Sequence, residues 1–542
     1  MRVQQAIRMS SRSVVAGTLV ALLSISGRPV FASGQAVATK TPVARAAEGQ
    51  IAPQPAPPAG AVQRLTVDQA VAMALESNLG IQADRLNPQI QDFSLAQARA
   101  AWAPAVFGGF SRNSTASPPD SFLSGVAPTI TSRSFSNTTG VQQQLPWGGG
   151  RYDLRWSASR SETTAFSSFN PRLSSRLDFS FAQPLLANFG IDFTRRQVWT
   201  TQNLRDIADL QLRQSIVATT RAVRNAYWDL VGAIANLEVT QQSLDLARQS
   251  LRDNRTRVEV GTMAPIDIVE AEAEVSRNEE SVIVADSQIR SAEDRLRALV
   301  SNPARPGFWE MTIEPTESAV LLPVEIDVQA AVRNALANRT DLFTAQRQLD
   351  NTGIDVRFYK NQRMPSLDLN VTYGLVGLGG TQLEYGSGFP PPLIGQSQRS
   401  FTDVLADVFG NEFRSWSVGF QVSYPIGTSQ AEAALAAAQL QQTQAQTNLR
   451  NLELQVATSV RDVGRQVSTN LKRVEATQRA REFAERRLEA EQKKFSVGLS
   501  TSFFVFQVQR DLALARVREL TAIIDYNKSL VDLEAVQQVP IR

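Results

Sequence analysis

The side chains with the most chemical potential in this 542-residue chain are carboxylates grouped where the pattern reads as helix. Asp267 and Glu270 stand at i, i+3 spacing and face one way. Glu272 and Glu274, then Glu279 and Glu280, follow closely. Carboxylate pairs can share a proton, hold a cation or charge a surface, but catalysis also needs a base, a nucleophile or metal ligands. The chain contains no His and no Cys. That removes the usual general base, the commonest metal ligand, thiolate sites and any disulfide framework. The later acidic pairs read as a solvated helical face. Asp267 and Glu270 fit a first helical turn, where the dipole favours acids. Gly148-Gly149-Gly150 lacks a following Lys-Ser/Thr, so it reads as a hairpin turn and not a phosphate loop. Phe503, Phe504 and Phe506 cluster in an apolar stretch that suits packing between helices or an aromatic constriction. The residues therefore predict no enzyme, no cofactor and no metal site.

The elements that must position these groups are unusually long. No proline lies between Pro184 and Pro265, or between Pro425 and Pro540. A helix over about 191–258 would run roughly 100 Å at 1.5 Å per residue, beyond an ordinary globule. Ile207, Leu210, Val217, Tyr227, Leu230, Ile234, Leu237 and Leu244 recur at helical spacing, while Gln, Arg, Asp, Ser and Thr fill the other faces. One buried stripe and one wet face describe coiled-coil-like helices. Extended sequence lies at about 104–183 and 365–424. Leu367 to Tyr373, Trp416 to Tyr424 and Arg176 to Phe181 alternate apolar and polar residues. The alternation fits a barrel wall with one apolar face, and equally a soluble sandwich. Some of Trp102, Trp147, Trp156, Trp199 and Trp416 fit an interfacial girdle, whereas Trp228 and Trp309 read as packed in the helical body. The Gly/Pro-rich segment 375–412 reads as an exposed loop.

An internal repeat organises these pieces. Leu65 to Leu75 matches Ile326 to Leu336 at a shift of 261, and the same shift carries Pro104 onto Pro365. Gln183-Pro184-Leu185 parallels Tyr424-Pro425-Ile426, and Val260-Gly261-Thr262 parallels Val497-Gly498-Leu499 at a shift of 237. Each half reads as helix, strands, long helix, glycine turn, long helix. The predicted boundaries are 64–301 for the first repeat and 325–538 for the second, with a linker at 302–324. Thr66 is a candidate N-cap. The first half has enough extended sequence (about 104–115, 134–147, 151–160 and 174–183) for an extra hairpin, inside the sheet wall or outside it.

Residues 1–32 read as a secretory signal peptide, with Arg2, Arg8 and Arg12 before an apolar stretch too short to span a bilayer. Their removal takes four arginines and no acid, so the formal charge falls from +3 to −1. The basicity is a targeting feature and predicts no nucleic-acid partner. Residues 33–63 are rich in Ala, Pro, Gly and Gln and read as a flexible tether. No later apolar run has membrane-helix length, so a membrane form would have to be a barrel.

The Leu65–Pro104 segment with its copy at 326–365, the Gln183-Pro184-Leu185 strand end and the two Val-Gly turns resemble the TolC-type outer-membrane efflux family. The resemblance spans about 64–538. It implies an α+β membrane protein: a homotrimer sharing one β-barrel among outer-membrane lipid, continuing into a periplasmic α-helical barrel. It also implies a passive conduit that meets an inner-membrane efflux pump or secretion transporter through a periplasmic adaptor (membrane fusion protein). The adaptor-docking tips would be Val260, Gly261, Thr262, Val497, Gly498 and Leu499. Asp267 and Glu270 would charge the periplasmic aperture, and Phe503, Phe504 and Phe506 take the place where some relatives carry acids. A periplasmic coiled-coil scaffold without channel activity is the alternative, although it leaves the matching strands unexplained.

Overall fold

A computed structural model describes residues 62–538 apart from 120–127, 305–307, 319, 322, 389–390, 425 and 427–428. The signal-peptide reading, most of the 33–63 tether and Pro425 lie outside the described residues. In chain order the first half holds β1 (Val62–Leu65), α1 (Val67–Ser77), α2 (Leu79–Asp84), α3 (Leu86–Ala100), β2 (Ala105–Ser117), β3 (Ile130–Gln144), β4 (Arg151–Thr163), β5 (Phe169–Pro184), α4 (Phe193–Glu259) and α5 (Ile266–Val300). The second holds β6 (Thr312–Pro315), α6 (Val328–Asn338), α7 (Thr340–Gln362), β7 (Ser366–Tyr385), β8 (Leu393–Arg399), α8 (Phe401–Phe409), β9 (Arg414–Ser423), α9 (Gln430–Ser496) and α10 (Ser502–Gln537).

Local sequence explains where the helices start. Thr66 closes a capping box with Gln69 at the start of α1. At the matching place Asp327 accepts from the amides of Gln329 and Ala330. Ala70 and Ala74 of α1 are buried, as are Ala331 and Ala335 of α6 at the same shift of 261. α4 and α9 each run 67 residues, capped by Asp192 and Ser429. α5 packs on α4, α4 on α10 and α10 on α9. The long helices thus form one layer with α5 and α9 at its sides. Two cores hold it to the shorter helices. One gathers Leu65, Val223, Tyr227, Leu230, Leu296 and Val300. The other gathers Val456, Val460, Val467, Tyr526 and Leu533 with Ala331 and Ala335.

β2, β3, β4, β5, β7 and β9 form one antiparallel path, with β8 pairing β7 beyond β9. The extra hairpin of the first half therefore lies within the sheet.

Two segments differ from the sequence reading. The 302–324 linker carries β6, which pairs in parallel with β1 so that Thr312 faces Val62. That strand also reaches into the tether by two residues. The 375–412 loop instead continues β7 to Tyr385 and adds β8 and α8. Its glycines have a packing reason: a Cβ on Gly377 would fall 2.1 Å from the Val404 carbonyl oxygen of α8. Glycine there admits the helix onto the sheet. Trp309 also departs from expectation. It is exposed, with its ring edge-on to buried Phe308 at 4.8 Å.

Candidate functional site: helix tips and amphipathic sheet

Both long helices end in the same way. At the first tip Gly261 N–H donates to Val258 O (2.9 Å) and Thr262 N–H to Arg257 O (2.8 Å). At the second, Gly498 N–H donates to Phe495 O (3.2 Å) and Leu499 N–H to Lys494 O (2.9 Å). These paired bonds are the Schellman arrangement, which needs a left-handed residue after the cap. Gly261 and Gly498 supply φ of 75° and 78°. A Cβ at either glycine meets nothing within 4 Å. The cost of Gly498→Ala is therefore conformational, about 1–2 kcal/mol, and Gly498→Asn is expected to recover much of it. Hydrogen exchange at the Leu499 amide is the check; equal protection in all three proteins would refute the capping role.

Val260, Val497 and Leu499 are exposed around these turns. Phe503 and Phe504 are half-exposed and meet edge-on at 5.7 Å, while Phe506 is 4% exposed and packs inward. Glu270 is exposed and Asp267 half-buried. Asp267 Oδ1 accepts from the hydroxyl of buried Ser502 at 2.7 Å, tying the start of α5 to the start of α10. The Arg257 guanidinium lies 4.4 Å from the Phe495 ring centre, joining the two tips a second time. Deeper in, Glu274 is 4% exposed. It receives Arg510 Nη1 at 2.9 Å and has Arg277 Nη1 at 3.4 Å. Sequence had placed Glu274 on a solvated face; the structure buries it between the hairpins.

Higher on the helices, Glu485 lies between Arg481 (3.1 Å) and Arg516 (3.3 Å), and Arg481 also meets Glu519 at 2.6 Å. Burial pushes the Glu485 carboxyl up, but the hydrogen bonds from Arg516 and Arg481 outweigh it and leave the group below its ordinary range. A depressed carboxyl stabilises the fold above the unfolded value, about 4.3 for Glu. That stability is lost as pH falls through the folded value. The melting temperature of the native protein should exceed that of Glu485→Gln at pH 7, and the gap should close in acid. A gap independent of pH would disprove the charge contribution.

The sheet separates its faces across six strands. Register places Val106, Val141, Leu154, Phe179, Tyr373 and Trp416 in successive strands on one side. The other side carries Ser111, Ser136, Ser159 and Ser174, with Asp153, Arg155, Arg176 and Asp178. In β9 every residue is exposed, including Trp416, Val418, Phe420 and Val422. Among the described residues no helix is long and apolar enough to cross a membrane, and no group of acids could hold a metal ion.

The model of the outer membrane efflux protein family matches residues 156–302 and 331–536. The chain belongs to that family. It is 20% identical over 351 residues to the outer membrane protein TolC of Vibrio cholerae, covering 64% of this chain and 74% of that protein. The outer membrane protein VceC of Vibrio cholerae superposes with a TM-score of 0.59 at 16% identity, over 87% of this chain and 96% of that one. The Campylobacter jejuni CmeC outer membrane channel gives 0.60 at 14% identity, over 87% and 85%. Membership places the protein in the outer membrane, within a family of channels and not among enzymes.

Of the residues singled out in the sequence, the structure brings Asp267 beside the second tip and sets Phe503 against Phe504. It does not gather the three phenylalanines into one exposed cluster. Ser502 and Arg510 were missed and Glu274 was read as solvated, because a tie between residues some 235 positions apart leaves no local signal.

Proposed function

We propose that three copies assemble into a passive conduit that carries substrates from an inner-membrane pump or secretion transporter, through a periplasmic adaptor, to the exterior. The observation that carries this reading is that both layers of the protomer are open at their sides. The six-strand path ends on two unpaired edges, β2 and β9. In lipid such edges leave backbone groups unsatisfied, and only a closed barrel removes them. The helical layer likewise ends on α5 and α9, with Ile283 and Val284 on one and Leu440, Leu454 and Phe483 on the other exposed. Further copies would cover both sides at once. The repeats over 64–301 and 325–538 would then supply matching halves of each third of the tunnel.

The tips form the periplasmic mouth in this reading. Val260, Gly261 and Thr262 with Val497, Gly498 and Leu499 present the exposed turns to the adaptor. Asp267 and Glu270 from each copy face the axis and favour cations, with Phe503 and Phe504 beside them and Phe506 bracing the hairpin. Outer-membrane fractionation and a heat-sensitive trimer band test the assembly, and a soluble monomer would end the reading. The Asp267→Asn, Glu270→Gln channel should lose cation preference in planar-bilayer currents, and unchanged selectivity would remove the acidic aperture.

A further inference from the structure

We infer that edge strand β2 of one copy pairs antiparallel with edge strand β9 of the next, so that the wall of the assembly contains all six strands of each copy. The inference rests on the trimeric reading above and adds what each copy contributes to the wall. The hairpin β2–β3 lies outside the segments matched by the family model, which begin at residue 156 within β4. It could have folded back as a separate flap. Instead β3 pairs with β4 along its length, from Ser132 opposite Thr163 to Gln144 opposite Arg151. Side-chain parity is kept as well. Val106 and Phe110 share the apolar face with Leu154 and Phe179, and Ser111 shares the polar face with Ser159.

The direction and stagger of the two edges fit closure. Six antiparallel strands make β2 and β9 run oppositely. Along the hydrogen bonds, Ala105 lies in one row with Gln142, Asp153, Ser180, Thr372 and Ser417. Ala105 begins β2, whereas Ser417 stands six residues before the end of β9 at Ser423. A shift of six residues over six strands is a shear-to-strand ratio near one, which corresponds to a tilt of about 36°, within the usual range for closed barrels. Setting the end of β9 level with the start of the next copy's β2 places Ser423 opposite Ala105 of the neighbour. Val422 meets Val106, Val418 meets Phe110, and Ser417 meets Ser111. The two faces continue across the seam without a change of side, and the register also sets Phe107 opposite Gln421 on the polar face and Arg112 opposite Trp416 on the apolar face. Three such copies give eighteen strands, and the wall is about half again as wide as one built from β4, β5, β7 and β9 alone.

The absence of native cysteine makes the test clean. Val106→Cys combined with Val422→Cys, oxidised in outer membranes, should move the heated, non-reduced band from monomer to trimer and return it on reduction. Neither single variant should do so. Ser111→Cys with Ser417→Cys tests the same register from the polar face, should one pair disturb folding. Leu154→Cys with Phe420→Cys reports the competing closure, in which β4 is the edge and the hairpin stands outside. Covalent trimers from that pair alone, or intact heat-sensitive trimers with no cross-link from either β2–β9 pair, would overturn the inference. Failure to find any trimer would remove the assembly itself, a different result on the same gel.

Discussion

Tyr227→Ala is expected to destabilise the helical body by about 3–5 kcal/mol, the range for truncating a large buried aromatic side chain. Tyr227 is fully buried between Leu65, Leu230 and Leu296, with Trp228 edge-on at 6.0 Å. Its hydroxyl also has a structural task. It donates to Leu65 O at 3.0 Å and accepts from Glu317 N at 3.2 Å, joining α4 to the segments that carry β1 and β6. Burial raises the phenol's pKa, so the donating proton stays on across the physiological range. Tyr227→Phe keeps the ring and leaves the Glu317 amide without its acceptor, at a cost of about 1–3 kcal/mol, while Leu65 O still accepts from the Thr316 amide at 3.1 Å. Denaturant unfolding of the two variants separates packing from hydrogen bonding. Hydrogen exchange should rise at the amides of Thr312, Ile313 and Glu314 in the Phe variant as the β1–β6 pair loosens. Equal stability of the Phe variant and the native protein would show that the hydroxyl does not hold that pair.

The helical part of this fold was legible because its signals are local or periodic. Thr66 and Asp327 announce helix starts through their own side chains, and the proline-free runs allow helices of full length. Gly261 and Gly498 mark the turns because few other residues accept a positive φ. The segment after Leu375 was misread for the opposite reason. Its glycines look like loop composition, yet Gly377 and Gly379 exist to admit α8, whose nine residues are too few for a periodicity to register. β6 was likewise hidden, since a four-residue strand is specified by its partner at Val62–Leu65 and not by its own sequence.

The tips were located from sequence, but their connections were not. Asp267 and Glu270 look alike at i, i+3 spacing, and only the packed hairpins distinguish them. One carboxylate is engaged by Ser502, and the other stays exposed. Phe503 and Phe506 also stand at i, i+3 spacing, and only burial against the packed helices distinguishes exposed Phe503 from buried Phe506. The sheet edges behave the same way. Alternation identifies an apolar face, whereas the order of strands, and so which edge is left open, follows from pairing between distant segments.

Arg510→Ala carries the second large effect, because it strips the nearest cation from a desolvated carboxylate. Removing one partner of a buried pair costs about 3–5 kcal/mol. Arg277 at 3.4 Å and Asn278 at 3.4 Å remain beside Glu274, so a loss of about 2 kcal/mol is expected here. Arg510→Ala with Glu274→Gln should cost less than the sum of the single changes, since the orphaned charge is gone. The pair joins α5 to α10 about two turns along the helices from the Asp267–Ser502 contact, which joins the same two helices. If both ties exist only while the hairpins are closed, 2 kcal/mol shifts the closed-to-open ratio by about 30-fold. Basal single-channel conductance of Arg510→Ala should then rise, and adding Ser502→Ala should raise it further. A destabilised protein with unchanged basal conductance would mean that Glu274 and Arg510 brace the hairpins in every state and take no part in gating.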